Sequence, residues 1–327
     1  MRVLVTGGTG FVGQHLIRLL SERRHTIFST YFVESSKTFA HAELLPCDVR
    51  NRDQVLQVVR YARPQHVYHL SAFSSVIKSF EESHRVWETN VWGAMNLLDA
   101  VKQAAPQARV LLVGSSQAYG NVASRRLPVR EDEPLSPASP YAASKAAAEM
   151  LATQFFRSSA LEVIRTRPFN HTGPGQSPDF VCSDLAQQVV EIELGLRPQV
   201  LRIGNMRVER DFSDVRDVVR AYELLVLQGA AGDVYNVSSG QAVSVAEIVK
   251  HLRSFSSRPF QVEVEQRRAR PGEVARLCGS NRKLRRATGW KPEYTLAKTL
   301  RDTYEFWKSA TAAPHHGPGC ALATRQQ

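Results

Sequence analysis

Tyr141 and Lys145 lie four residues apart in the stretch "SPYAASKAAAEM", whose composition favours a helix. Residues at i and i+4 project from one face of a helix, so this phenol and this ammonium can face the same site. A neighbouring positive charge lowers the pKa of a phenol from about 10 toward neutrality. The pair therefore predicts proton exchange with a substrate oxygen, although exposed helices also carry such pairs without any chemical role.

A second candidate group is Ser115, in the stretch "GSSQAYG" that follows the apolar run "VLLV". An apolar run of this kind indicates a buried strand, and its polar end would lie at the edge of a sheet. There the Ser115 hydroxyl could donate a hydrogen bond to the oxygen that Tyr141 protonates. Surface turns also collect serine, so the prediction depends on the rest of the chain.

Three glycines, Gly7, Gly10 and Gly13, stand between the first apolar run and the first helical pattern in "VLVTGGTGFVGQHL". Glycine in this place permits a tight turn and lets backbone N–H groups approach a pyrophosphate at the positive end of a helix. The spacing is G-x-x-G-x-x-G, which differs from the G-x-G-x-x-G of most dinucleotide dehydrogenases. We predict a dinucleotide site that also includes Phe11 and Val12.

The end of the second strand, "TIFSTYFVESSK", has no acidic residue at the position where NAD-selective sites hold the ribose 2′-hydroxyl. With Ser29, Thr30 and Lys37 nearby, this absence favours NADP(H), with NAD(H) as the alternative. Six other residues at strand ends are assigned to the same coenzyme: Asp48, Val49, Leu70, Ser71, Ala72 and, later in the chain, Phe169. Asp48 could instead cap a helix.

Short apolar runs alternate with helical patterns through the first half of the chain. Such βαβα alternation predicts an α/β fold, a Rossmann-type doubly wound parallel sheet, with a smaller α/β lobe for the substrate. We expect the dinucleotide-binding domain in residues 1–167 and 205–237, and the lobe in residues 168–204 and 238–310. Residues 311–327 are predicted to form a disordered tail.

Composition excludes several classes of protein. No apolar run approaches the length of a membrane span, and "MRVLVTGG" enters a strand directly, so we expect a cytoplasmic protein without a membrane partner. The four scattered cysteines predict reduced thiols and no metal site. The net charge of +11 concentrates in residues 253–301, with thirteen Lys or Arg against four Asp or Glu. This stretch has no nucleic-acid-binding signature, so another anion is expected to bind there.

The motifs "TGGTGFVG", "GSSQAYG" and "YAASK" together resemble the extended short-chain dehydrogenase/reductase family, whose members act on nucleotide-activated sugars. The resemblance covers residues 1 to about 308 and implies a catalytic set of Ser115, Tyr141 and Lys145, with the last two also touching the coenzyme. It also implies a homodimer, because two long helices of these proteins commonly pack together.

Four further motifs, "RPFNHTGPGQ", "RDFSDVRD", "VYNVSSG" and "TGWKPE", are similar to the GDP-4-keto-6-deoxy-D-mannose reductases within that family. This similarity implies reduction of a C4 ketone to give GDP-D-rhamnose, with a GDP-linked sugar as the partner. By the same similarity Asn170, Arg210, Arg270 and Glu273 would bind the nucleotide diphosphate. Arginine suits phosphate because its planar fork donates two parallel hydrogen bonds. Ser74, Ser75 and Ser116 are the candidates for the sugar pocket.

Gln117 separates the possible reactions. Related dehydratases use an acidic residue two places before the strand-end tyrosine to remove a proton from C5, and an amide cannot act as a base near pH 7. Dehydration of GDP-mannose is therefore disfavoured. Ketone reduction is preferred, and the alternatives are a 4-epimerase with tightly held NAD and a non-catalytic dinucleotide sensor or RNA-binding protein.

Overall fold

In the residues that the computed structural model describes, 1–32, 41–265 and 274–312, the central element is a seven-stranded parallel sheet. Its strand order is β3-β2-β1-β4-β5-β6-β10, and every neighbouring pair is parallel. The predicted doubly wound fold is confirmed. The strands are β1 Arg2–Thr6, β2 Thr26–Tyr31, β3 Glu43–Pro46, β4 His66–His69, β5 Arg109–Val113, β6 Val163–Pro168 and β10 Val234–Val237.

Helices cover both faces of this sheet, because the apolar strands bury both of their sides. One core lies between the sheet and α2, α5 and α6, and another lies between the sheet and α1 and α8. The chain order reverses between β1 and β4, so a crevice opens there at the carboxyl ends of the strands. The helices on the two faces are α1 Phe11–Glu22, α2 Arg52–Ala62, α5 Gly93–Ala104, α6 Pro140–Ser159 and α8 Val215–Gln228.

The pattern of residues 86–104 predicts one long helix, and the structure interrupts it. After α3 Lys78–Glu81, the helical stretch begins with α4 Ser83–Trp87 and forms one π-helical turn, Glu88–Trp92, before α5 continues. A π turn inserts one extra residue and thereby turns side chains that a regular helix would point elsewhere. Here it brings the Asn90 side chain into the interior, where it is 3% exposed.

A smaller lobe follows β6 and carries two short sheets. One has the order β11-β9-β13 with β7 also paired to β9, and the other pairs β12 with β8. Its core packs α7, α9 and α11 together. The elements are β7 Asn170–Thr172, α7 Val181–Glu193, β8 Val200–Ile203, β9 Glu209–Asp214, β11 Ala242–Ser244, α9 Val245–Phe255, β12 Gln261–Val264, β13 Arg276–Leu277, α10 Arg282–Thr288 and α11 Leu296–Ala312.

The stretch "RDFSD", which the charge pattern indicates to be a turn, is the strand β9. Its charge is accommodated because Asp211, almost fully buried, accepts hydrogen bonds from the amides of Ser239, Gly240 and Gly279 at 2.8, 3.0 and 3.2 Å. The disordered tail was expected to begin at residue 311, but α11 extends to Ala312. No helix among the described residues has the length and apolar character to cross a bilayer.

Candidate active site

The Ser115 side chain lies near the phenol of Tyr141 at the carboxyl edge of the sheet, close enough to act on the pKa of that phenol. Ser115 directly follows the end of β5 and caps the 3-10 turn Ser116–Tyr119, where its Oγ accepts the Gln117 N–H at 3.2 Å. Because the serine oxygen accepts from the backbone, its own proton is available to donate. The structure therefore brings two of the three predicted catalytic side chains close together.

Lys145 lies one turn after Tyr141 on α6 and is 8% exposed. Its Nζ donates to the backbone carbonyl of Val113 at 2.8 Å, and burial lowers its pKa to about 8. The expected lowering of the phenol pKa by Lys145 is not found. Burial raises the pKa of Tyr141, since a phenolate loses its hydration there, and the hydrogen bond from Ser115 opposes that rise only in part.

The first turn of α6 is held by its own sequence. Ser139 is the N-cap and accepts the Ala142 N–H at 3.1 Å, and Pro140 occupies the first helical turn, where its missing N–H costs nothing. This local chemistry explains why the helix begins immediately before Tyr141. The phenol consequently projects from a helix end whose backbone is fixed.

Asn90 ties this helix to the segment after β4, a contact that the sequence did not reveal. Its Nδ2 donates to Ser144 Oγ at 2.9 Å and to the Phe73 carbonyl at 3.2 Å, while its Oδ1 accepts the Phe73 N–H at 2.7 Å. Both the oxygen and the nitrogen of the Asn90 amide are therefore hydrogen-bonded inside the protein. An asparagine in an otherwise apolar helix pattern was the only signal for this role.

The glycine turn between β1 and α1 has the shape of a pyrophosphate cradle. Gly7 adopts φ +71°, and a Cβ there would lie 2.9 Å from the Ser71 backbone. A Cβ on Gly13 would lie 2.5 Å from Gly8 Cα. Gly10 is exposed and is the N-cap of α1. It has no side chain, so it cannot accept hydrogen bonds from the first backbone amides of the helix, at Phe11, Val12 and Gly13. These features fit a dinucleotide phosphate.

Gly8 is a further glycine that the triplet spacing did not single out. A Cβ on it would lie 2.0 Å from Ser29 Oγ and 2.7 Å from Ile17 Cδ1. Only a hydrogen fits between β2 and the start of α1 at this point. The doubled glycine in "TGGTG" was the available signal, because a single glycine suffices for a turn.

Ser29 and Thr30 do not present their hydroxyls to a 2′-phosphate as expected. Ser29 is fully buried against Gly8, and Thr30 is buried with its Oγ1 accepting the Gly7 N–H at 3.1 Å. Both side chains support the glycine turn instead. Lys37, the third residue of that expectation, lies outside the described residues.

Asp48 and Val49 follow β3 at the same edge of the sheet. The Asp48 carboxylate accepts hydrogen bonds from Nε and Nη2 of Arg50 at 3.0 and 2.7 Å. This pairing holds the pKa of the carboxyl below its ordinary value. The N-cap of α2 is Asn51, so the capping alternative for Asp48 is wrong. Val49 is buried, and its carbonyl accepts a hydrogen bond from Asn96 at 3.0 Å.

Leu70, Ser71 and Ala72 continue from β4 and lie half-buried beside the glycine turn. The Ser71 N–H donates to Thr6 Oγ1 at 3.3 Å, which joins the ends of β1 and β4. Ser74 is exposed. Ser75 accepts the Lys78 N–H at 3.3 Å, the contact of a serine at a helix start.

The candidate substrate residues after β6 are spread over several elements. Asn170 begins β7, Ser116 is buried, and Arg210 lies half-buried on β9 with its Nη1 donating to the Glu209 carbonyl at 2.9 Å. Phe169 packs its ring into a small core with Tyr119. Arg270 and Glu273 lie outside the described residues.

His171, next to Asn170, joins the lobe to the coenzyme end. Its ring stacks on Phe11 with centroids 6.3 Å apart and planes 8° from parallel, and its Nδ1 lies 3.1 Å from the Phe169 carbonyl. His15, one turn after Phe11, contacts the Pro174 carbonyl with Nε2 at 2.9 Å. The loop after β7 therefore closes over the N-terminus of α1.

Comparisons with known proteins agree with this geometry. The family model described as GDP-mannose 4,6 dehydratase matches residues 4–303. GDP-6-deoxy-D-mannose reductase of Pseudomonas aeruginosa is 36% identical over 313 residues, which cover 94% of this chain and 97% of that protein. The structure of RMD from Pseudomonas aeruginosa complexed with NADPH has a TM-score of 0.83 at 34% identity, covering 95% of this chain and 100% of that chain.

A UDP-glucose 4-epimerase of Thermus thermophilus, solved as a complex with NAD, has a TM-score of 0.85 at 29% identity and covers 95% of this chain and 100% of its own. The family resemblance inferred from the motifs is thus confirmed, as is an NAD(P)-dependent oxidoreductase that acts on a nucleotide sugar. The chain belongs to the GDP-mannose 4,6 dehydratase family, within the extended short-chain dehydrogenases/reductases.

Proposed function

We propose that this protein reduces the C4 ketone of GDP-4-keto-6-deoxy-D-mannose to give GDP-D-rhamnose, with NADP(H) as the preferred coenzyme. The observation that carries the proposal is that Ser115 and Tyr141 lie near each other at the edge of the sheet that also bears the glycine turn. The printed name of the 36% identical relative supports the choice of sugar, and the NADPH in the related structure supports the coenzyme.

In this mechanism a nicotinamide coenzyme, when bound, would supply the hydride that C4 of the sugar accepts. Tyr141 donates its proton to the C4 oxygen as negative charge builds there, and Ser115 donates a hydrogen bond to the same oxygen. The raised pKa of Tyr141 suits this direction, because the phenol is protonated at neutral pH and is ready to act as an acid. Solvent then restores the proton, and the ketone has gained one hydride and one proton.

Lys145 contributes its charge to the same step. With a pKa of about 8, its ammonium is largely protonated at pH 7 and adds positive charge to the site. Its hydrogen bond to Val113 keeps Nζ beside the end of β5. When the coenzyme is bound, the same ammonium would orient the ribose.

Gln117 supports reduction over dehydration, although the family model is described by its dehydratases. Its amide cannot take a proton from C5 near neutral pH, and it lies half-buried in the turn that Ser115 caps. Reduction needs no such base. The sugar diphosphate is assigned in this proposal to Asn170, Arg210, Arg270 and Glu273, and the sugar to Ser74, Ser75 and Ser116.

A 4-epimerase is the second candidate, because the epimerase solved with NAD matches nearly the whole chain. The two reactions differ in their need for added coenzyme. An epimerase returns the hydride to the same sugar, whereas a reductase consumes one NAD(P)H for each sugar that it converts.

The deciding experiment incubates purified protein with GDP-4-keto-6-deoxy-D-mannose and either NADPH or NADH. Coenzyme oxidation is followed at 340 nm and the sugar by mass spectrometry. A gain of two mass units with one coenzyme oxidised per sugar is expected, with the higher kcat/KM for NADPH. Conversion of UDP-glucose without added coenzyme would establish the epimerase instead, and loss of water from GDP-mannose would establish the dehydratase.

The homodimer and the cytoplasmic location belong to the same proposal. Large apolar side chains are exposed around the helices before and within α6, including Trp92 at 54% and Met150 at 72%. Such a patch on a surface supports self-association. Light scattering should give twice the mass of one chain, and Met150→Asp should reduce that mass to one chain.

A further inference from the structure

One face of α6 meets one face of β6 through charged side chains instead of apolar ones. Lys145, Glu149 and Thr153 follow each other at intervals of four along α6, so they share a helix face. Arg165 and Arg167 lie two apart on β6 and so share a strand face. The sequence marks this pattern only as two arginines within a strand that is otherwise buried.

Glu149 is held by both arginines. Arg167 donates from Nε to Oε2 at 2.9 Å and from Nη2 to Oε1 at 2.6 Å, a bidentate pair. Arg165 Nη1 lies 3.6 Å from the same Oε1. The side chains of Glu149 and Arg167 are 4% and 7% exposed, so solvent does little to screen the pair.

The same guanidinium reaches the turn that follows Ser115. Arg167 Nη1 donates to Tyr119 Oη at 2.9 Å, and Tyr119 in turn donates to Asn236 Oδ1 at 2.7 Å. Arg167 Nη1 also donates to the Glu131 carbonyl at 3.0 Å. A single arginine therefore connects α6, the 3-10 turn and β10.

The connection passes directly beside the catalytic serine. A Cβ built on Gly114, the residue before Ser115, would lie 3.6 Å from Glu149 Oε2 and 2.6 Å from the Thr166 carbonyl. One turn earlier on α6, Lys145 Nζ is bonded to Val113, the residue before Gly114. Thus α6 is hydrogen-bonded to the end of β5 through Lys145 and lies close to it at Glu149, and Tyr141 lies one turn before Lys145.

We propose that Glu149 is a positioning residue that sets the distance between Ser115 and Tyr141 by fixing α6 against the ends of β5 and β6. The inference rests on the proposed function for its kinetic consequences. Glu149 acts through Arg167 and lies beside Gly114 without a bond to either reacting side chain. A displacement of about 1 Å in a catalytic group can cost on the order of 10²-fold in rate, so a tie of this kind has a measurable effect.

Positioning and stability can be separated because a buried ion pair often contributes little net stability. Replacing both partners with apolar residues of similar volume is commonly neutral or stabilising, whereas removing one partner leaves an unpaired buried charge. The double variant Glu149→Leu/Arg167→Met should therefore recover part of the thermal stability that Glu149→Leu loses, because it removes one of the two unpaired charges while Arg165 remains. Under the proposal its kcat stays about 10²-fold low, because the directional bonds that locate α6 are gone.

The control for general destabilisation is Asp217→Asn on α8, on the other face of the sheet. Asp217 is equally buried and binds Arg220 at 2.6 Å and the amides of Glu293 and Tyr294 at 3.0 Å. This variant should lower Tm and leave kcat unchanged. A kcat that recovers together with Tm in the Glu149/Arg167 double variant would overturn the positioning role.

Glu149→Gln covers the case in which the double variant does not fold. It retains the shape and one acceptor, so kcat should fall about tenfold with the coenzyme Kd unchanged, and an unchanged kcat overturns the proposal. A readout independent of substrate is the ¹⁹F NMR signal of Tyr141 in 3-fluorotyrosine-labelled protein, assigned by its loss in Tyr141→Phe. The signal should shift in Glu149→Gln and not in Asp217→Asn, even if the wild type reduces no 4-keto sugar; a stationary signal rejects the inference alone.

Discussion

Asn90, in the π turn, donates to the hydroxyl of Ser144, which lies on α6 between Tyr141 and Lys145, at 2.9 Å. The Ser144 hydroxyl in turn donates a hydrogen bond to the Tyr141 carbonyl at 2.8 Å. A polar residue from a neighbouring helix thus supports the backbone that carries the phenol. The extra residue of the π turn is what points this amide inward.

Asn90→Leu should therefore weaken the site and the fold together. It leaves the Phe73 amide and the Ser144 hydroxyl without their partner, at a cost of about 1–3 kcal/mol in the free energy of unfolding. Urea denaturation measures that loss, and steady-state kinetics should show a lower kcat. The matched control is Asn96→Leu, whose amide binds the Val49 and Arg50 carbonyls and should affect coenzyme Kd instead.

Tyr141→Phe should abolish coenzyme oxidation while coenzyme binding, followed by fluorescence titration, stays within about twofold. Ser115→Ala should lower kcat by roughly 10²-fold, because it removes one donor to the developing oxyanion. If Tyr141→Phe lost binding and turnover to the same extent, the assignment of a proton donor would be wrong.

Activity should fall at alkaline pH as Lys145 loses its proton. Because the pKa of Lys145 is about 8 and the charged form is the useful one, kcat/KM for the coenzyme should be constant below pH 8 and fall about tenfold per pH unit above it. A pH profile of kcat/KM tests this. Lys145→Arg should move the falling limb beyond the measurable range, and a limb that stays in place would point to a different group.

Acid should destabilise the protein through two buried histidines. Burial lowers the pKa of His66 to about 4 and that of His69 to about 3. In the unfolded chain these groups take up protons near pH 6.5, whereas in the folded protein they stay neutral, so stability falls as pH drops from 6.5 toward 4. Each contributes a slope of about 1.4 kcal/mol per pH unit in that range.

Urea unfolding at pH 7.0, 6.0 and 5.0 measures this slope. His25, Arg109 and the N-terminal amine add positive charge around His66, which further disfavours its protonation. His66→Gln should flatten the pH dependence by about one proton, while His41→Gln, a change at an exposed histidine, should leave it unaltered. Equal slopes in all three proteins would contradict the assignment.

Gly8→Ala should weaken coenzyme binding because the new methyl would overlap Ser29 Oγ and press on Ile17. The double variant Gly8→Ala/Ser29→Ala should recover part of the affinity, since Ser29 Cβ is 3.1 Å away and only its hydroxyl collides. Isothermal titration with NADPH gives both affinities. No recovery in the double variant would mean that the strain lies in the backbone.

Patterns local in sequence were readable in advance, and contacts across the fold were not. The apolar runs and the glycine turn predicted the parallel sheet, and the capping box that Ser244 forms with Glu247 is likewise a local pattern of residues three apart. The β9 strand was missed because its charge is satisfied by amides about 28 and 68 residues away. The roles of Asn90 and Glu149 were missed for the same reason, because their hydrogen-bond partners lie on other elements, distant in sequence.

The pKa of Tyr141 shows a second limit of reading from sequence. Spacing placed the phenol and the ammonium on one helix face, but burial dominates the pKa of each group. The extent of burial depends on the packing of β5 and β6 against α6, which no local pattern encodes. Likewise, Ser29 and Thr30 were expected near the 2′-position of the coenzyme ribose, and the structure buries both side chains.

The position of β10 constrains how this protein can be recombined with its relatives. The chain leaves the large sheet at β6, builds the first part of the smaller lobe and returns so that Val234–Val237 pairs with Arg165–Pro168. A hybrid made by grafting a foreign C-terminal half after β6 would leave that edge open to aggregation unless the graft brought its own matching strand. Exchange of sugar specificity is better attempted by swapping internal segments on either side of β10.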